Sequence, residues 1–224
     1  MDKVKFMEFC VDCKTKGNVG YSQNIQDLWV IFGTNYKTLG YFVDFGATDG
    51  ITINNTYMLE KDFGWTGIVA EPNPVYHDAI KKNRQCSIET SCVWKTSGGK
   101  IDFISAPATD LSTISGYGTE DEHSAIRAKG NIISVDTISL EDLLNKYDAP
   151  NNIDYLSIDT EGSEYDILRQ FMIDNKGKRT IDYITIEHNY VPAIRQKIYQ
   201  MLTINGYDRL FEDLSGCDDF YKRR

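Results

Sequence analysis

The stretch YFVDFGATDG, residues 41–50, decides how the chain is read. Tyr41 to Phe45 is aromatic or apolar except for Asp44, and it runs straight into Gly46 and Gly50, which frame Ala47, Thr48 and Asp49. An apolar run this short, closed by a glycine turn, predicts a buried strand that ends in a loop whose backbone a ligand can approach closely. Working outward, Thr56 to Phe63 reads as a helix, and TGIVAE at 66–71 is a second buried strand ending on an acid, Glu71. A helix from Pro74 to about Asn83 and a third strand, SIETSCVW at 87–94, follow. IDYLSID at 153–159 and IDYITIE at 181–187 have the same grammar and end on Asp159 and Glu187, with a helix from Glu164 to Asp174 between them. Pro192 to Asn205 places Ile194, Ile198 and Leu202 four apart, a helix that Gly206 can stop.

Strands and helices in alternation predict an α/β fold with right-handed crossovers and a mostly parallel sheet. YDRLFE at 207–212 and CDDFYKR at 217–223 are separated only by DLSG, so they must pair as a hairpin and make the sheet mixed at that end. Before the first strand, SQNIQDLWV carries Ile25, Leu28, Trp29 and then Ile31 at helical spacing, a packing helix in a helical lead-in over about residues 1–36. The section from about 98 to 147 interrupts the alternation with KIDFIS, a polar loop, NIISVD and a short helix from Leu140. An insertion of this kind predicts a substrate-facing element. With 224 residues, 41% of them hydrophobic, one domain over 1–224 accounts for the whole chain.

Charge and composition narrow the function. A net charge of -9 disfavours nonspecific attraction to nucleic acid, so no nucleic-acid partner is expected. No window holds eighteen consecutive apolar residues and the N-terminus has no signal-type core, so the chain reads as soluble and cytoplasmic, with no membrane segment. Five cysteines, an odd number, fit reduced thiols better than a disulfide framework, and Cys10-x-x-Cys13 is half a zinc spacing without a second pair.

In an open parallel sheet, ligands bind beyond the carboxyl ends of the strands, which sets Asp44, Gly46, Asp49 and Gly50 around a cofactor site. The dinucleotide fingerprint fails, because Thr48 and Ile51 stand where its second and third glycines belong, and no Gly-Lys-Ser/Thr of a P-loop follows. What remains is a ligand with ribose but no phosphate to cradle, its hydroxyls meeting Glu71. The competing reading makes the glycines a tight turn and Glu71 a solvated strand end, and a nicotinamide enzyme stays open as an alternative.

Asp159 and Glu187 end two neighbouring strands, with Glu161, Glu164 and His188 close behind. Group transfer to a neutral hydroxyl needs in-line alignment and a destination for the proton. Either Asp159 or His188 takes that proton, with Glu161 a further catalytic candidate, or Asp159, Glu187 and His188 hold a divalent cation that acidifies the hydroxyl, magnesium or manganese. The structural alternative makes Asp159 or Ser163 an N-cap of the helix that follows.

FVDFGATDG, VAEPNP, LSIDTEGSEYDIL and ITIEHN, with SQNIQDLWV upstream, together resemble the FkbM-type family of S-adenosylmethionine-dependent methyltransferases over about Ser22 to Phe211. The resemblance implies a Rossmann-like seven-stranded methyltransferase sheet, mostly parallel with an antiparallel C-terminal strand and helices on both faces. It implies that Asp44, Gly46, Ala47, Thr48, Asp49 and Gly50 form the methionine-side loop, that Glu71 beside Pro72 holds the ribose, and that Asn73, Ser91 and Cys92 lie near the adenine. Gln23 as a cofactor contact rests on the resemblance alone. Thr48 stands where many relatives have asparagine. The implied activity is O-methylation of a sugar hydroxyl in a glycan or glycoside, by this chain alone or as part of a larger multidomain glycan-building enzyme. RNA ribose 2'-O-methylation shares the fold and cofactor, but His188 and Asn189 stand where that chemistry calls for lysine. A catalytically silent cofactor- or protein-binding domain is the third reading.

Overall fold

The computed structural model describes residues 1–224. Two helices lead in, α1 (Lys3–Thr15) and α2 (Gln26–Gly33), before the first strand, β1 (Tyr41–Phe45). Next come α3 (Tyr57–Phe63), β2 (Thr66–Ala70), a 3-10 turn at Pro74–Tyr76, α4 (His77–Asn83) and β3 (Ser87–Glu89). The middle section contains β4 (Cys92–Trp94), β5 (Lys100–Ser105), β6 (Thr113–Ile114), α5 (Ser124–Arg127), β7 (Asn131–Ser139) and α6 (Leu140–Lys146). The chain closes with β8 (Asn152–Ile158), α7 (Glu164–Asn175), β9 (Thr180–Glu187), α8 (Pro192–Ile204), β10 (Tyr207–Leu210) and β11 (Asp218–Arg223).

Seven of these strands form one sheet in the order β10-β11-β9-β8-β1-β2-β3. All neighbours run parallel except at β11, which is antiparallel to both β9 and β10. The terminal hairpin expected from the sequence is therefore what makes the sheet mixed. Successive side chains of a strand point to opposite faces, and both faces here are apolar. Val43 and Phe45 of β1 join Leu143, Ile167 and Ile198 of α6, α7 and α8 on one side, while Phe42 joins Phe6, Leu28 and Met58 of α1, α2 and α3 on the other. β1 lies centrally, with β2 and β8 as its neighbours. Strand order reverses there, so the loops after β1 and β8 leave in opposite directions and open a crevice at the carboxyl edge.

The expected third strand at 87–94 is two strands in two sheets. Glu89 ends β3 by turning its own side chain onto the backbone ahead, accepting from the N–H groups of Thr90 and Ser91 at 2.9 and 2.8 Å. The chain then leaves the large sheet, and β4 pairs with β7 in a four-stranded sheet of order β4-β7-β5-β6. Cys92, Phe103, Ile114 and Val135 give that smaller sheet its own core. The predicted helix at 74–83 begins with the 3-10 turn and becomes α-helical only at His77. No helix is long and apolar enough to cross a membrane.

Candidate active site

Gly46 turns the chain out of β1 with φ of +78°, and a Cβ at this position would collide with the carbonyl oxygen of Asp159 at the end of β8. Only glycine fits where the two strand ends approach so closely. The N–H groups of Gly46 and Ala47 both donate to the carbonyl of Ala70, at 3.0 and 3.3 Å, which ties the loop to β2. Glu71, just past β2, holds the same loop from the side: its Oε2 accepts from the Thr48 N–H at 2.9 Å and its Oε1 from the Asn73 N–H at 2.7 Å. Burial pushes the Glu71 carboxyl up to about 7 even though these donors favour its charged form. Asp49 folds the next turn by accepting from the N–H groups of Ile51 and Thr52 at 2.9 and 2.7 Å.

A cavity of ≈ 520 Å³ opens over this edge of the sheet. Of the predicted cofactor residues, Gln23, Gly46, Thr48, Asp49, Glu71, Pro72 and Cys92 line it. Asp44, Ala47, Gly50, Asn73 and Ser91 do not, Ala47 because it is fully buried in the core. Asp44 points into the protein, where it accepts from Thr56 Oγ1 at 2.7 Å and Asn54 Nδ2 at 3.1 Å, and burial raises its pKa. Gly50 packs against Arg84. Asn73 reaches to Ser105 and Ser112 of the middle section, at 3.3 and 3.1 Å, and Ser91 lies in the turn made by Glu89. Part of the cavity wall is apolar, made by Val93, Phe103, Leu111 and Ile114, to which the small sheet of the middle section contributes.

Another part of the wall is acidic. Oxygens of Asp159, Glu161 and Glu187 all lie within 4.8 Å of one another. Burial and the neighbouring charges of Glu161 and Asp218 raise the Asp159 carboxyl, and burial with the charge of Asp159 raises Glu187. Glu161 is pushed up to about 7 by burial, against the pull of Arg127. Asn189 Nδ2 donates to Glu161 Oε2 at 2.9 Å and to Glu187 Oε2 at 2.8 Å, bridging two of the acids. The Arg127 guanidinium pairs with Glu161, meets Asp121 at 2.6 Å and donates from Nε to the carbonyl of Leu111 at 2.8 Å. Neither predicted cap operates on α7: Ser163 makes no side-chain cap bond, and Glu164 instead accepts from the N–H groups of Thr160 and Gly162, each at 2.9 Å.

His188 is not part of this group. Its Nδ1 accepts from the Tyr190 N–H at 3.0 Å, which leaves the proton on Nε2, and Nε2 faces the Asp218 carbonyl at 3.1 Å. Both ring nitrogens are engaged, the residue is only 3% exposed, and burial lowers its pKa, so it is neither a free base nor a metal ligand. The acid that completes the cluster with Asp159 and Glu187 is Glu161. Across the whole cavity seven acidic side chains line the wall (Asp49, Glu71, Asp110, Glu122, Asp159, Glu161, Glu187) and no lysine or arginine does.

Arg127, Asn189 and Tyr190 are the site residues that sequence reasoning missed. Arg127 is one basic residue in a polar stretch and carries no local signal. Asn189 and Tyr190 do carry one, because they follow directly on the acid that ends β9.

A family model described as "Methyltransferase FkbM domain" matches residues 44–209. The chain belongs to that family of S-adenosylmethionine-dependent methyltransferases. Among curated proteins none matches. Solved structures with a similar fold include the following. For a human methyltransferase 10 domain containing protein the identity is 10% and the TM-score 0.46, over 96% of this chain and 92% of that one. For the N-terminal domain of human METTL16 they are 14% and 0.43, over 87% and 67%. For a putative RNA methyltransferase from Pyrococcus horikoshii they are 12% and 0.43, over 90% and 84%.

Proposed function

We propose that the protein is an S-adenosylmethionine-dependent O-methyltransferase acting on a hydroxyl of a sugar within a glycan or glycoside, built on a Rossmann-like sheet. The observation that carries this reading is the composition of the cavity wall, which has seven acidic side chains and no lysine or arginine. A sulfonium is a cation and a sugar hydroxyl is neutral, so both suit an acidic wall. A pyrophosphate or a phosphodiester would instead meet like charges at close range in a medium of reduced dielectric. That disfavours both a nicotinamide cofactor and an RNA acceptor.

The residues fit this cofactor. Glu71 uses each oxygen once on a backbone N–H, leaving lone pairs free for two ribose hydroxyls. Gly46 and Thr48 of the glycine loop line the cavity, and Val93, Phe103 and Ile114 offer apolar surface on which a base could pack. When bound, the cofactor supplies an electrophilic methyl group. The chain's own residues align the acceptor and receive its proton at Asp159, Glu161 and Glu187, and the section at 98–147 faces the acceptor. Three acids this close suit a divalent cation held by Asp159 and Glu187 with the second oxygen of Glu161, a cation that would neutralise them and acidify a bound hydroxyl. With His188 withdrawn the donor set is all oxygen, which favours magnesium over manganese.

Calorimetry with S-adenosylmethionine, S-adenosylhomocysteine and NAD tests the reading. The sulfonium form is expected to bind most tightly and NAD least, and preferential binding of NAD would end the proposal. In radiolabel transfer to methyl glycosides, Asp159→Asn should retain cofactor binding and lose turnover. Turnover that survives chelation would remove the cation.

A further inference from the structure

The corner after β9 is a tight turn in left-handed backbone. Asn189 and Tyr190 follow one another with φ of 46° and 55°, left-handed values that favour glycine and that the turn at Asn35 and Tyr36 also takes. Backbone of this kind costs free energy and persists where the surroundings enforce it. The enforcement here comes from His188. Its N–H donates to the Cys217 carbonyl and its own carbonyl accepts from the Val191 N–H, both at 2.8 Å, while its ring nitrogens are held by the Tyr190 N–H and the Asp218 carbonyl. A buried histidine with every polar group engaged thus clamps the corner onto the start of β11.

The corner presents two side chains to the cavity. Asn189 reaches inward to bridge Glu161 and Glu187, whereas Tyr190 lines the cavity and yet is 65% exposed. Its ring leans edge-on against that of His188, with centroids 5.8 Å apart and planes at 77°. A tyrosine gives a large, flat, partly polar surface and loses little freedom when it is used for contact. The same cavity is lined by Asn189 and by the Glu161 and Glu187 carboxyls it bridges, groups suited to accept from and orient hydroxyls. An apolar plane beside a rank of acceptors matches a pyranose ring, which has C–H bonds on its faces and hydroxyls around its edge.

We infer that Tyr190 is the platform on which the acceptor sugar stacks, and that His188 and Asn189 are positioning residues that hold it in the cavity wall that carries the acids. The inference rests on the carbohydrate reading above and assigns its acceptor subsite. It also gives His188 a purpose that its engaged nitrogens deny it as a base.

The test uses the full chain saturated with S-adenosylhomocysteine and probes it with methyl glucopyranoside, mannopyranoside and galactopyranoside by saturation-transfer NMR and calorimetry. Tyr190→Ala should weaken the glycoside that binds wild type by about three- to tenfold, the range expected for one lost aromatic stack. Tyr190→Phe should bind it as wild type does, because the face and not the hydroxyl makes the contact. His188→Gln, which releases the corner without touching the sugar, should weaken the glycoside while the affinity for S-adenosylhomocysteine stays the same in all variants. Equal glycoside affinity in wild type and Tyr190→Ala would overturn the stacking and leave the carbohydrate reading standing, as would equal loss in the Ala and Phe variants. If wild type neither binds nor methylates any of the three glycosides, the carbohydrate reading fails and the stacking falls with it.

Discussion

Glu71 shows how one side chain can serve both loop and ligand. It holds the glycine loop through the Thr48 N–H and still lines the cavity. Glu71→Ala should therefore weaken S-adenosylmethionine by about 1–3 kcal/mol, the cost of leaving a polar partner unsatisfied, as calorimetry would register. Unchanged affinity would move the ribose elsewhere. Gly46 and Glu71 were legible in the sequence because strand, glycine turn and terminal acid each leave a local mark. His188 was legible only as a residue type. What its ring nitrogens meet depends on Asp218 and Tyr190, one of them thirty positions away and on a different strand. Asp44 misled for a similar reason: a strand position beside a glycine loop does not reveal which face its side chain takes, and here it turns inward to Asn54 and Thr56.

Among the elements, the middle section departs most from its sequence reading. Strands β5 and β7 follow KIDFIS and NIISVD, but the break at Thr90 and Ser91 within an unbroken β-type run went unread, because it depends on the Glu89 side chain and not on glycine or proline. α5 is a four-residue helix, too short to show periodicity, yet it delivers Arg127 to the site. Arg127 fastens the section to the acidic cluster through Glu161 while satisfying Asp121 and the Leu111 carbonyl. Arg127→Ala would leave two carboxylates buried without their cation and should destabilise the protein by about 3–5 kcal/mol. Urea denaturation measures the loss, and Glu161→Gln in the same chain should recover part of it. A variant as stable as wild type would show that the section is held by its apolar core alone.

For the molecule as a whole, the sheet and its terminal hairpin followed from the alternation of strands and helices, since both faces of each strand had to be covered. The acidic cavity followed only in part, because Asp110 and Glu122 come to it through the middle section. Its acids have a measurable effect on stability. Glu71 and Glu161 are raised from 4.5 to about 7 and Asp218 from 3.8 to about 6, in each case by burial first. A carboxyl with a raised folded pKa keeps its proton where the unfolded chain has lost it, so the stability it contributes is present at low pH and disappears as pH rises through the folded value. His188, lowered by burial, acts in the opposite direction, but it is one group against several. Without ligands, the melting temperature should therefore fall between about pH 5 and pH 7.5. Scanning calorimetry checks the slope, and a rise over that interval would contradict the raised carboxyls.

The same wall of acids bears on turnover. Methyl donation turns a positive sulfur into a neutral thioether, and a carboxylate a few ångströms away distinguishes the two by an interaction on the order of a few kcal/mol at intermediate dielectric. Ionised acids favour fresh donor over spent donor, so the ratio of the two affinities should widen as pH rises through about 7, where Glu71 and Glu161 lose their protons.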